Sequence, residues 1–139
     1  MFKKILMATD GSAYILKGAR MAAELAQMWK ARVLLVTVAN LPAMYQVDLK
    51  PDFINILLDD SKRALLDTKR IFAEKGVKCE RKLIRDGKPS EVICGLAADE
   101  GCDLIVLVTL GLHSPDRYAL GSQTYQIIHE APCSVWVVK

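Results

Sequence analysis

From Phe2 to Thr9 the chain is mostly apolar after its first lysines, and Asp10-Gly11-Ser12 then breaks the run. This predicts a short strand, a turn, and a helix that Ser12 is placed to cap. In that helix Lys17, Arg20, Glu24 and Gln27 recur at steps of three and four and mark a solvent face. The opposite face carries Ile15, Ala19, Ala22, Ala23 and Ala26, small enough to let the helix lie close to a sheet. Arg32 to Val38 is apolar without alternation, the pattern of a strand covered on both faces. A connection from Asn40 to Pro51 follows, in which Met44, Tyr45, Val47 and Leu49 form a small apolar group. The next helix is expected from about Asp52 to Lys75, with Ile54, Leu58, Ser61, Leu65, Thr68 and Phe72 as its buried line and Gly76 as its stop.

Val77 to Ile84 carries charges on one face and is expected at a sheet edge. Gly87-Lys88-Pro89 opens a third helix that runs to Gly101, with Pro89 suited to its first turn. Asp103 to Val108 reads as a fourth strand, Thr109 to Gly121 as a loop, Ser122 to Glu130 as a last helix and Ser134 to Val138 as a last strand. Strands that alternate with helices in this way predict an α/β fold, a parallel sheet with helices on both faces. Ligands of such sheets sit beyond the carboxyl ends of the strands, where the strand order reverses. The candidate segments are therefore Asp10 to Ser12, Thr37 to Asn40 and Thr109 to Ser122.

A length of 139 residues argues for one domain. A net charge of +3 and the lack of a basic stripe point away from nucleic acid. No apolar stretch is long enough to span a membrane, and Asp10 interrupts the start too early for a signal peptide. The four cysteines, Cys79, Cys94, Cys102 and Cys133, form no C-x-x-C pair, so reduced thiols, a cytoplasmic location and no metal site are expected.

The strongest local signal is Gly111 followed by Gly121-Ser122. Glycines let backbone approach phosphates, and Gly121-Ser122 opens a helix whose free N–H groups and dipole favour an anion. Together with Ile5-Leu6-Met7-Ala8-Thr9-Asp10-Gly11-Ser12, Gly87-Lys88-Pro89 with Ile93, Asp103 to Leu107, Leu120-Gly121-Ser122 and Ala131 to Val138, this pattern resembles the universal stress protein family over nearly the whole chain. The resemblance implies a five-stranded parallel sheet of order 3-2-1-4-5 and a homodimer paired through the last strand. It implies a stress-response or signalling role and, in members that carry G-x-x-G-x9-G-[ST], binding of ATP with Mg²⁺. On that pattern the turn Asp10-Gly11-Ser12 belongs to the site, Asp10 and Val38 flank adenosine, and Gly111, Gly121 and Ser122 face the phosphates.

The sequence departs from the motif at Val108, where a β-branched side chain replaces the first glycine and would obstruct ribose or phosphate. Ser114 stands where the family often has another glycine, Pro115 offers no N–H, and Asp116 repels a triphosphate unless Arg117 or a cation compensates. Two readings therefore stay open: a nucleotide-responsive protein, and a nucleotide-free dimeric interaction module of the same fold. Catalysis beyond slow ATP hydrolysis is not expected. No nucleophile–base pair is visible and the P-loop pattern is absent. A phospho-acceptor receiver domain would share the architecture, but Asp10 and Asp86 match its acidic cluster only thinly. His113 reads as a solvated loop residue, His129 as a complement to a helix dipole, Trp29 and Trp136 as packing residues, and Cys133 as a buried structural thiol.

Overall fold

The computed structural model describes residues 1–39, 51–109 and 122–139. The elements are β1 (Lys4–Ala8), α1 (Ala13–Trp29), β2 (Arg32–Val38), α2 (Pro51–Glu74), β3 (Cys79–Ile84), α3 (Pro89–Asp99), β4 (Leu104–Val108), α4 (Ser122–Glu130) and β5 (Ser134–Val138). β2, α4 and β5 have the bounds their patterns predict. β3 starts later than Val77 because the Val77 N–H closes α2, bonding back to the Phe72 carbonyl at 3.0 Å.

The five strands form one parallel sheet of order β3-β2-β1-β4-β5. The chain steps outward from β1 to β2 to β3, crosses back to β4, and ends at β5. Right-handed crossovers along that path put α1 and α2 on one face and α3 and α4 on the other. The core divides accordingly. Ile5, Met7, Val33, Leu35, Leu104 and Val106 face α1 and α2. Leu6, Leu34, Val36, Ile105 and Leu107 face α3 and α4. Because both faces are covered, the central strands carry no polar alternation.

α1 buries Ile15, Ala19, Ala22, Ala23 and Ala26, and leaves Lys17, Arg20, Glu24 and Gln27 exposed, as its periodicity predicts. Gly18 is also buried. A Cβ there would stand 2.5 Å from Cγ2 of Val108, so α1 rests on the end of β4. Trp29 packs edge-on against Phe2, with ring centroids 4.8 Å apart. Of the expected buried line of α2, Leu65, Thr68 and Phe72 are buried, whereas Ile54, Leu58 and Ser61 are only partly covered. The reason is length: a 24-residue helix runs about 36 Å, well past a strand of seven residues at about 23 Å.

The amino ends of the strands are tied by Asp103, whose carboxylate accepts the N–H groups of Lys3 and Lys4 at 2.9 and 3.0 Å. Glu100 beside it accepts the amines of Lys4 at 3.2 Å and Lys82 at 2.6 Å. Lys82 holds the Glu100 carboxyl below its usual range, and Glu100 in turn raises the Lys82 amine. No helix among the described residues is long and apolar enough to cross a membrane.

Candidate functional site

In this strand order β1 and β4 are neighbours whose following segments diverge. The chain leaves β1 for the α1 face, and the opposite face takes the helix that follows β4. A crevice at that point is where open α/β sheets bind ligands. The strand ends are held level there by Thr9 N–H to Val36 C=O at 2.9 Å, Ala39 N–H to Ile84 C=O at 2.7 Å, and Thr109 N–H to Val138 C=O at 2.9 Å.

The turn after β1 is the best-defined part of the site. Gly11 has φ +76°, and a Cβ on it would lie 2.8 Å from Cβ and 2.9 Å from Cα of Ala64 in α2. Only glycine meets both demands. A chain of hydrogen bonds fixes the same turn. Gly11 N–H donates to Thr9 Oγ1 at 3.1 Å, Thr9 Oγ1 lies 2.8 Å from Thr68 Oγ1, and Thr68 donates to the Ala64 carbonyl at 2.7 Å. A hydroxyl has one proton, and that of Thr68 is already committed. Thr9 is therefore the donor to Thr68, and the chain runs one way into α2. Thr9 and Thr68 are both buried.

Asp10 is exposed, and its Oδ1 accepts the Ser12 N–H at 2.8 Å, an Asx-type brace of the turn. Ser12 occupies the N-cap position of α1 with extended backbone, φ −65° and ψ 155°, but its side chain makes no capping bond. The expected hydroxyl cap is therefore absent, and the side-chain acceptor at this entry, Asp10, takes the N–H of Ser12 itself rather than one inside the helix. The buried Ser12 Oγ has no partner among the described residues.

Val38 ends β2, partly buried, and packs with the cluster under α3 and α4. Val108 belongs to the other face, where its side chain fills the space over Gly18. Its branched side chain thus has a packing role against α1. Ser122 opens α4 and is exposed. α4 is fixed to the start of α3 by two glutamines: Ser90 N–H donates to Gln123 Oε1 and Ser90 Oγ to Gln126 Oε1, both at 3.0 Å. Gly111, His113, Ser114, Pro115, Asp116, Arg117, Gly121 and the group Met44, Tyr45, Val47 and Leu49 lie outside the described residues.

Thr9, Ala64 and Thr68 were not legible as parts of a site. The one available signal was a threonine at an otherwise apolar position of α2. Cys133 is only partly buried, unlike the expectation, because β5 is an edge strand. Burial raises all four thiols, Cys79 to about 12 and Cys102 to about 11, so none is activated as a nucleophile. No cluster of three potential metal-ligating side chains occurs among the described residues.

Comparison with known proteins agrees with this architecture. The family model described as "Universal stress protein family" matches residues 1–139. The chain is 35% identical over 145 aligned residues to the "Universal stress protein in QAH/OAS sulfhydrylase 3'region" of Thermus aquaticus, covering 100% of both. The solved structure of hypothetical protein MJ0577 is similar with a TM-score of 0.84 at 27% identity, over 100% of this chain and 96% of that one. A universal stress protein from Archaeoglobus fulgidus in complex with dAMP has a TM-score of 0.75 at 24% identity, over 99% and 98% of the two chains. A universal stress protein in complex with cAMP has a TM-score of 0.77 at 20% identity, over 99% and 97%. With its whole length matched and its strand order that of the fold, the chain belongs to the universal stress protein family.

Proposed function

We propose that this stress protein binds an adenine nucleotide, ATP with Mg²⁺ in the first instance, beyond the carboxyl ends of β1 and β4. The observation that carries the reading is the entry to α1. There a rigidly braced turn ends in a buried serine hydroxyl with no partner among the described residues, at the amino end of a helix. Unmatched buried polar groups and helix N-termini both favour an anionic or hydroxylated ligand. Asp10 and Val38 would flank the base and ribose, and Ser12, Gly111, Gly121 and Ser122 would meet the polar tail. The dAMP and cAMP complexes of similar folds support an adenine nucleotide over other ligands. Binding would bias a homodimer or a partner contact rather than drive chemistry.

The second reading, a nucleotide-free dimeric module, is favoured by Val108 packing over Gly18 and by the character of the sheet edges. β3 presents Glu80, Arg81 and Lys82, whereas β5 is Ser-Val-Trp-Val-Val without a charge. An uncharged, β-prone edge is a template for strand pairing, and a charged one resists it. Both readings place the dimer at β5.

Denaturing the purified protein and chromatographing the supernatant tests the choice, followed by calorimetric titration of nucleotide-free protein with Mg-ATP, AMP and cAMP. Retained nucleotide, or micromolar binding weakened by Ser12→Ala and Ser122→Ala, supports the first reading. No retained nucleotide and no heat with any of the three refutes it.

A further inference from the structure

The amino-end edge of the sheet, opposite the site just described, carries a second concentration of charge. α1 and α2 finish side by side there. Each is closed by a backbone bond that reaches back five residues: Ala31 N–H to Ala26 C=O at 2.9 Å, and Val77 N–H to Phe72 C=O at 3.0 Å. These bonds satisfy the final carbonyls. The cleft between the two helix ends and the starts of β2 and β3 has a volume of about 250 Å³. Its walls carry Lys30, Arg32, Lys75 and Lys78 and no acidic side chain. An adjoining cleft shares Arg32 and Lys78 and adds Glu80.

The sheet sets the placement of two of the four. Arg32 and Lys78 immediately precede Val33 and Cys79, which are partners in the β2–β3 ladder, so two like charges start neighbouring strands. Like charges side by side on a sheet are destabilising. Lys4 and Lys82 share the Glu100 carboxylate, whereas these four cations, like most of the exposed lysines and arginines, make no ion pair among the described residues.

We infer that this cleft binds a short oligophosphate anion, at a site separate from the carboxyl-end crevice. Its volume is below the ~300–1,000 Å³ of pockets that enclose drug-sized ligands, which suits a phosphate chain rather than a whole nucleotide. The donor set fits too. Arg32 supplies a planar fork for two phosphate oxygens, and three lysines supply mobile point charges around it. The phosphate chain can be free or the tail of a larger molecule, since the cleft is open to solvent on one side.

The test is an amide chemical-shift titration of the whole protein with sodium tripolyphosphate and, separately, ATP, at constant ionic strength. Sodium chloride serves as the screening control. The expected result is saturable shifts at residues 30–32 and 75–78, similar in affinity for both probes, and weakened at least about tenfold in Lys30→Ala/Lys78→Ala. Both substitutions are at exposed positions, and circular dichroism checks that the variant is folded. The same variant keeps any ATP-induced shifts at Gly11, Ser12 and Ser122, which separates this site from the proposed nucleotide site. Equal shifts with sodium chloride, binding unaffected by the double substitution, or response to ATP but not tripolyphosphate would each overturn the inference.

Discussion

Replacing Thr68 by valine isolates the brace that fixes the turn after β1. The change exchanges one hydroxyl for a methyl of similar shape, so it opens little space. It removes the oxygen that accepts from Thr9 at 2.8 Å, and Thr9 is only 5% exposed. A buried donor left without an acceptor costs about 1–3 kcal/mol. Thr9→Val removes instead the acceptor of the Gly11 N–H, while Thr68 keeps its bond to Ala64, so about 1 kcal/mol is expected. In the double variant both hydroxyls are gone and only the Gly11 N–H is short of a partner. Its loss should therefore fall short of the sum of the single losses by about 1 kcal/mol or more. Urea unfolding of the four proteins, extrapolated to water, measures each term. Thr68→Val should also weaken any nucleotide bound at the turn. Losses that add to within about 0.5 kcal/mol, the scatter of independent sites, would refute the one-way chain from Gly11 to Ala64.

Gly11→Ala forces a side chain into left-handed backbone and against Ala64, so a loss of about 2 kcal/mol or more is expected by denaturant unfolding. A loss below about 1 kcal/mol would show that the turn does not rest on α2. Val137→Lys puts a charge on the uncharged edge strand and should convert a dimer to monomer by sedimentation. A wild-type protein that is already monomeric at working concentration would refute β5 pairing. The thiols give a pH dependence whose sign is fixed. In the unfolded chain Cys79 ionises near its ordinary value of 9.0, while in the fold burial raises it to about 12. The unfolded state then loses the proton first, so the stabilising contribution is complete below pH 9 and is lost as pH rises toward 12. Denaturant unfolding across that range should show the decline, and Cys79→Ala should flatten part of it. An identical profile in the variant would count against burial of that thiol.

The alternation of apolar runs and amphipathic stretches was enough to order the nine elements, because strands covered on both faces and helices covered on one leave different periods in sequence. The small-residue face of α1 was legible for the same reason, down to the alanines that are buried. Strand order was not contained in that periodicity. It came from resemblance to a family, and the pairings of β1 with β2 and β4 agree with it.

The site divides along the same line. Sequence alone determined that Asp10-Gly11-Ser12 is a turn, since aspartate, glycine and serine have local conformational preferences that act without neighbours. Only the tertiary structure decided what the turn leans on. Thr68 is 59 residues from Thr9, and the contact exists because α2 lies across the end of β1. It likewise decided that Val108 fills the notch at Gly18 rather than standing alone as a departure from a motif. At the opposite edge it gathered Lys30, Arg32, Lys75 and Lys78 into one cleft. Charges spread over almost fifty positions look dilute along the chain. Electrostatic repulsion depends on distance in space, and only folding brings these four to the walls of one cleft.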